Sequence, residues 1–393
     1  MGTKDNTALQ DEIQMHLNYL VHHLGARPVG SSENSHASAY LTEYSKTRGW
    51  HVYTHMTSTI IRKPVQWGCM LHVDDSVKPL SILPGIATLN AHYSNIQVTP
   101  YIYAKKEDFV EHPPLPGTLV LVELGALHEA DACRLAHPAA AVGWFRKGQQ
   151  TLYSGNCMRQ EEPLVPGFAL FSEDVHNLLL PHASVTLNIE VMDQVTTLRN
   201  IVVDVGHVTH HPCFITHYDS RPFSPGANDN ASGVACLLGL LSLWSADKPA
   251  RFIFFDGEEV GARGSQAYVE TLQSEQRLRE IRCVINPDSV GLDKLHLYTA
   301  DRFGPLSEEL LVHARHVFSA HGWMVPERAA RSGVSDYMHF RTAGVPCLFL
   351  SDFPNDVRHT TGDTMATLDI PVLTRLTTIL AHETFYHALT SRS

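Results

Sequence analysis

The sequence has little positive charge. Its 393 residues include 30 Lys and Arg against 41 Asp and Glu, a formal net charge of −11. That balance argues against nucleic acid or an anionic membrane surface as a partner. Paired cysteines are also missing. The 7 cysteines, at positions 69, 133, 157, 213, 236, 283 and 347, are scattered and odd in number, with no Cys-x-x-Cys spacing. Cys236, Cys283 and Cys347 sit in apolar runs, so they read as buried reduced thiols and not as a disulfide framework. No stretch is long and apolar enough to span a membrane, and residues 1–6 contain no apolar signal core. The expectation is a cytoplasmic protein, with a secreted protein lacking its signal peptide as the alternative. No internal repeat or low-complexity tract appears. Hydrophobic residues make up 44%, enough for a sizeable core, and the length favours two domains over one. With 25 histidines, net charge moves strongly between about pH 7 and 5.

The polar residues that stand out follow short apolar runs. Phe214-Ile215-Thr216 leads into His217-Tyr218-Asp219, and Arg251-Phe252-Ile253-Phe254-Phe255 into Asp256-Gly257-Glu258-Glu259. Cys283-Val284-Ile285 leads to Asp288, and residues 345–350 lead through a loop to His359. Unalternated apolar runs of this length read as strands buried on both faces, as in a parallel sheet. Ligands of such sheets bind beyond the carboxyl ends of the strands. Asp229 lies among Gly, Asn and Ser residues that suit a tight turn and an N-cap before the apolar helix beginning near Val234. A carboxylate there could bridge two cations. Asp219, two residues past His217, is placed to fix the tautomer of a metal-binding imidazole. One of the adjacent Glu258 and Glu259 reads as a metal ligand and the other as an acid/base group. Two histidines and three carboxylates without a thiolate suit Zn²⁺ in an open catalytic site.

These residues together resemble the M28 family of co-catalytic zinc aminopeptidases. The likeness rests on His217-Tyr218-Asp219, Asp229 within Ala-Asn-Asp-Asn-Ala-Ser-Gly, Gly257-Glu258-Glu259 with Gly264-Ser265, Asp288, Ser335-Asp336, and His359-Thr360 with Asp363-Thr364. The His-Glu-x-x-His signature of other zinc peptidases is absent. The resemblance implies two zinc ions per chain, one held by His217, Asp229 and Asp288 and the other by Asp229, Glu259 and His359. Asp229 would bridge them, Glu258 would be the general base, and Asp219 would orient His217. Many members carry Tyr before the last His, where this chain has Arg358. Arg358 or another donor such as Tyr337 is then expected to polarise the scissile carbonyl.

Along the chain, residues 8–24 have helical spacing, Gly25 ends that helix, and Ser32 or Asn34 is placed to cap the next. The turn Arg27-Pro28-Val29-Gly30-Ser31 reads as structural. Between about 66 and 183 the pattern changes to strands at 117–123, 140–145 and 165–171 with short helices at 129–137 and 172–180, Ser172 capping the last. This order resembles a protease-associated (PA) domain. Strands at 185–191 and, beside it, 200–205 return to the main sheet, and helices are expected over 306–320 and 370–389. The fold expected is α/β, a mostly parallel central sheet flanked by helices. The catalytic domain spans 1–65 and 184–393, and 66–183 form a smaller β-rich insert.

The expected function is removal of the N-terminal residue of a peptide. The alternatives are a glutaminyl cyclase-like acyl transfer, a dipeptidase or carboxypeptidase in which Arg221, Arg331 or Arg358 holds a substrate carboxylate, and a receptor-like binding module. Side-chain preference would come from loops around 332–340 and from the insert.

Overall fold

The computed structural model describes residues 6–157, 165–207, 209–329 and 335–390. Contacts group the chain into two units. The first comprises residues 1–59, 196–358 and 363–393, the second residues 60–195 and 359–362.

The apolar runs singled out in the sequence form the centre of the first unit. Strands His211–His217, Ala250–Phe255, Ile281–Pro287 and Cys347–Ser351 pair in parallel. Their spatial order is 347–351, 281–287, 211–217, 250–255. The chain therefore adds a strand on one side of 211–217 and then on the other. That reversal opens a crevice beyond the strand ends. Antiparallel strands border this core, residues 201–205 beside 250–254 and His296–Asp301 beside Cys347–Ser351.

The runs lack alternation because both faces are covered. Phe214, Phe252, Phe254 and Ile285 pack with Leu9, Ile13, Leu237, Leu240 and Leu376 of helices Asn6–Leu17, Ser232–Leu243 and Ile370–Ala381. Cys213, Ile215, Ile253, Phe255 and Val284 pack with Tyr268 and Val269 of helix Arg263–Ser274 and with Phe340 of helix Tyr337–Thr342.

Some local expectations need correction. Ser31, with an extended backbone, caps helix Ser32–Thr47 by accepting from the Asn34 N–H, in place of Ser32 or Asn34. The single helix expected over 370–389 is two, Ile370–Ala381 and Glu383–Thr390. His382 breaks it with an extended backbone, and its Nδ1 accepts from the Thr384 N–H at 3.2 Å. Residues 185–191 and 200–205 belong to one strand, Ser184–Val205, and do not lie side by side, since no turn former interrupts the run between them.

The second unit has its own sheet. Residues 184–189 of strand Ser184–Val205 pair antiparallel with Ala91–Tyr103, after which Thr118–Glu123, Ala141–Phe145 and Gly167–Leu170 follow in parallel. Ile82–Pro84 closes the edge antiparallel. Leu119, Leu121, Phe168, Leu170, Val185 and Ile189 form its core. Its short helices are Asp108–Glu111, Glu129–Leu135 and Asp174–Leu178. Ser172 is not the cap of the last. Its hydroxyl instead donates to the carbonyls of Arg146 and Gln149.

A buried histidine beside a buried ion pair makes the stability of the first unit pH-dependent. Arg251, 1% exposed, makes a bidentate bond to Asp204 at 2.6 and 2.9 Å. His211 nearby is also 1% exposed, and neither ring nitrogen has a hydrogen-bond partner among the described residues. Burial, reinforced by the Arg251 charge, pushes the imidazole from 6.5 down to about 4. The folded ring stays neutral while the unfolded one takes up a proton, so this contribution is intact above about pH 6.5 and is lost as pH falls towards 4. Replacement of His211 by Leu should remove roughly 2–3 kcal/mol of the destabilisation that develops between pH 7.5 and 4.5. Denaturant melts of both proteins at the two pH values check it.

Candidate metal centre

The carboxyl ends of the parallel strands gather the polar residues. His217 is the last residue of its strand and pairs in register with Phe255, which puts Asp256 and the Gly257-Glu258-Glu259 turn beside it. Asp288 follows the end of Ile281–Pro287. Asp229 lies in the buried turn Ala227–Ala231 that leads into helix Ser232–Leu243. Two glycines make this turn possible. Gly226 has φ +60, and a Cβ on Gly233 would come within 2.4 Å of both Thr216 Oγ1 and Asn230 Oδ1. Asn230 then ties three segments, donating to Thr216 Oγ1 at 2.9 Å and accepting from the N–H groups of Gly233 and Ser289.

The seven residues singled out in the sequence fall into two overlapping sets and their supports. His217, Asp229 and Asp288 each offer a ligand atom, all within 4.8 Å of one another. Asp229, Glu259 and His359 do the same. Asp229 is common to both, and all five are buried. His359 itself is carried by residues 359–362, which pair with residues 152–154 of the second unit. Ser154 N–H donates to His359 O at 2.6 Å and Thr361 N–H to Leu152 O at 3.0 Å.

The donor chemistry around His217 fits a cation. Its Nδ1 faces the Asp219 carbonyl oxygen at 3.1 Å, an atom that only accepts. In a neutral ring the proton is therefore on Nδ1, and Nε2 presents a lone pair. That Nε2 faces Asp229 Oδ1 at 3.3 Å, Asp288 Oδ1 at 3.5 Å and Glu258 Oε2 at 3.9 Å. Lone pairs converge from four groups with no donor between them. Either a proton or a metal ion must supply the positive charge. Burial lowers the basicity of His217, but the charges of Glu258 and Asp288 outweigh it and hold the ring well above its ordinary value. Burial, with Glu259, Asp288 and Asp336 nearby, raises Glu258 well above the usual carboxylate range despite the opposing pull of His217. Asp336, fully buried, is pushed up to about 7 by desolvation.

Asp219 does more than the sequence suggested. It meets His217 chiefly through its carbonyl, with its carboxylate at 3.5 Å. The carboxylate accepts the N–H groups of Glu258 and Glu259, each at 3.1 Å, and so fixes the turn that presents both acids. Asp363 does the same for the other turn, accepting from the N–H groups of Asn228 and Asp229 at 2.8 and 3.0 Å.

Expectations about three neighbouring residues, Tyr337, Arg221 and Arg358, change. Tyr337 is not available to a substrate carbonyl. It is fully buried, and its hydroxyl donates to Asp301 at 3.0 Å. Arg221 and Arg358, proposed to hold a substrate carboxylate, bond the protein's own acids: Arg221 Nε to Glu259 Oε2 at 2.6 Å, Arg358 Nε to Asp229 Oδ2 at 2.7 Å. Arg331 and residues 332–334 of the expected specificity loop lie outside the described residues.

Arg27, read from sequence as part of a structural turn, is the brace that reading missed. It is 0% exposed. Its guanidinium donates to the carbonyls of Leu20, Gly25, Tyr218, Pro225 and Gly226 at 2.7–3.2 Å. Its backbone N–H donates to Ser220 Oγ at 2.9 Å. It thus joins the segment after His217 to the one before Asp229. The Arg-Pro-Val-Gly-Ser turn was the only signal, and nothing local names partners nearly 200 residues away. Replacement of Arg27 by Met should cost about 3 kcal/mol or more, because buried carbonyls lose their donors. Thermal and denaturant melts of the metal-free protein measure it.

Comparisons with known proteins agree with this geometry. Residues 200–384 match peptidase family M28. The aminopeptidase YwaD of Bacillus subtilis is 31% identical over 198 residues, 46% of this chain and 41% of that protein. Leucine aminopeptidase 2 of Trichophyton rubrum is 25% identical over 253 residues, 58% of this chain and 50% of that protein. The chain thus spans half or less of the length of these curated relatives. In fold, it is similar to BSAP, a zinc aminopeptidase from Bacillus subtilis, with a TM-score of 0.77 at 20% identity over 96% of this chain and 94% of that one. The match to peptidase family M28 covers residues 200–384, the stretch that contains every candidate ligand.

Proposed function

We propose that the protein is a zinc-dependent aminopeptidase that hydrolyses the N-terminal residue of peptides. The observation that carries this reading is the pair of ligand sets sharing Asp229, with Glu258 beside them. The relatives named as aminopeptidases support it. His217, Asp229 and Asp288 would hold one zinc and Asp229, Glu259 and His359 the second. When bound, the ions supply Lewis-acid polarisation of the scissile carbonyl and bring the pKa of water to about 7.

The chain's own residues supply the proton transfers. As water oxygen bonds to the carbonyl carbon, Glu258 takes the proton. As the C–N bond breaks, Glu258 returns that proton to the leaving amine. Asp219 serves as a positioning residue, holding both the imidazole of His217 and the turn that carries Glu258. Two ligand sets favour hydrolysis over a single-zinc cyclase. The domain assignment follows the same reading, with residues 1–65 and 184–393 catalytic and 66–183 a PA-like insert. No helix among the described residues is long and apolar enough to cross a membrane. Seven free, buried cysteines support a cytoplasmic setting.

Substitution Glu258→Gln should leave zinc content unchanged and slow hydrolysis of aminoacyl chromogenic amides by roughly 100-fold or more. Turnover within a few-fold of the parent would overturn the assignment. Dialysis against a chelator should abolish release of the free N-terminal residue, and added zinc should restore it. Activity that survives complete zinc removal, confirmed by elemental analysis, is the contrary result.

A further inference from the structure

Two arginines touch the candidate ligands: Arg221 bonds Glu259, which belongs to one set only, and Arg358 bonds Asp229, which both sets share. Arg358 Nε bonds Asp229 Oδ2 at 2.7 Å, and Arg221 Nε bonds Glu259 Oε2 at 2.6 Å. Both are short, charge-assisted bonds. The two oxygens of Asp229 are divided. Oδ1 faces His217 Nε2 at 3.3 Å, while Oδ2 carries the guanidinium. Asp288 differs. Its Oδ1 accepts from the neutral Ser289 hydroxyl at 3.1 Å, and no Lys or Arg pairs with it within 4.0 Å among the described residues. Arg358 is held where it is, with its guanidinium 5.2 Å above the Phe353 ring and its backbone N–H donating to Asn355 Oδ1 at 2.8 Å. The side chains of Arg221 and Arg358 are only 11% and 19% exposed.

We propose that Arg221 and Arg358 make the two cation sites unequal, so that the set Asp229, Glu259 and His359 binds its ion more weakly than the set His217, Asp229 and Asp288. This rests on the two-zinc reading above. An arginine does not lose its proton in a protein. An ion entering the Asp229, Glu259, His359 set therefore shares both of its carboxylates with fixed positive charge in a largely buried place, where screening is weak. At the His217, Asp229, Asp288 set only Asp229 carries a guanidinium, while His217 has the Asp219 carboxylate 3.5 Å away and Asp288 a neutral hydroxyl. The same arginines offset two charges of the acid cluster before any metal arrives, which lets the metal-free fold hold its carboxylates together.

Orientation acts in the opposite sense to charge. A hydrogen-bond partner that merely orients a ligand strengthens metal binding, and its loss weakens binding by roughly 10–100-fold. The sign of the effect therefore separates the two roles. Gln retains an N–H donor and removes the charge, whereas Lys retains the charge.

The test is a calorimetric titration of the metal-free full chain with zinc, for the parent and for Arg221→Gln, Arg358→Gln, the double variant and Arg358→Lys. The parent should bind two ions in steps that differ by roughly tenfold or more. Arg221→Gln should tighten the weaker step by a similar factor while the stronger step stays constant, Arg358→Gln should tighten both steps because Asp229 is shared, and Arg358→Lys should keep the steps apart. Two equal steps in the parent, or a weaker step that weakens further in the Gln variants, overturns the proposal and leaves the two-zinc reading standing. A single step in every protein, the double variant included, overturns both.

Discussion

The first unit depends on solving one electrostatic problem. It buries acids at the end of a parallel sheet, and buried carboxylates repel one another unless positive charge or N–H donors meet them. Every device around the crevice answers that need. Backbone N–H groups of Glu258 and Glu259 go to Asp219, and those of Asn228 and Asp229 go to Asp363. Guanidinium groups go to Asp229 and Glu259. The space facing His217 Nε2 is left for a cation, since nothing there donates a proton. Read in this way, the acids are the reason the turns have their shapes, and the sheet is the frame that brings the turns together.

The frame itself is set by apolar residues. Strands 211–217 and 250–255 are buried along their whole length because helices cover both faces, and their side chains alternate between two cores. Rigid strands fix where each turn begins. The reversal of strand order around 211–217 then opens the crevice where His217 and Asp288 emerge side by side. Precision at the site is inherited from packing well away from it.

What could be seen in the sequence follows from the range of the interactions. The parallel strands were legible because burial on both faces leaves a local mark, a short apolar run. His217, Asp229, Glu258, Glu259 and Asp288 were legible because each sits at or just after the end of such a run or in a turn rich in Gly and Asn, and His359 because a run leads to it through a loop. Boundaries governed by one residue's backbone were less so. Ser31 and not Ser32 caps its helix, and His382 splits the closing one. Pairings across long separations left no mark at all. Arg27 with Tyr218, Arg358 with Asp229 and Tyr337 with Asp301 are choices made by the folded chain, and identical residues could have faced solvent. The merging of 185–191 and 200–205 into one strand escaped notice because the stretch between them, with Met192 and Asp193 exposed, is polar like a loop.

The dispersal of the site along the chain has a consequence for how the protein matures. Its brace comes from residue 27, its ligands from positions 217 to 359, and the acid that pins Asp229 from residue 363. No stretch emerging early in synthesis holds three of these groups near each other. A nascent chain is thus a poor chelator, and capture of both cations is deferred until the chain has been made through residue 359. Metal occupancy then reports completed folding, and each captured ion withdraws molecules from the unfolded pool by mass action.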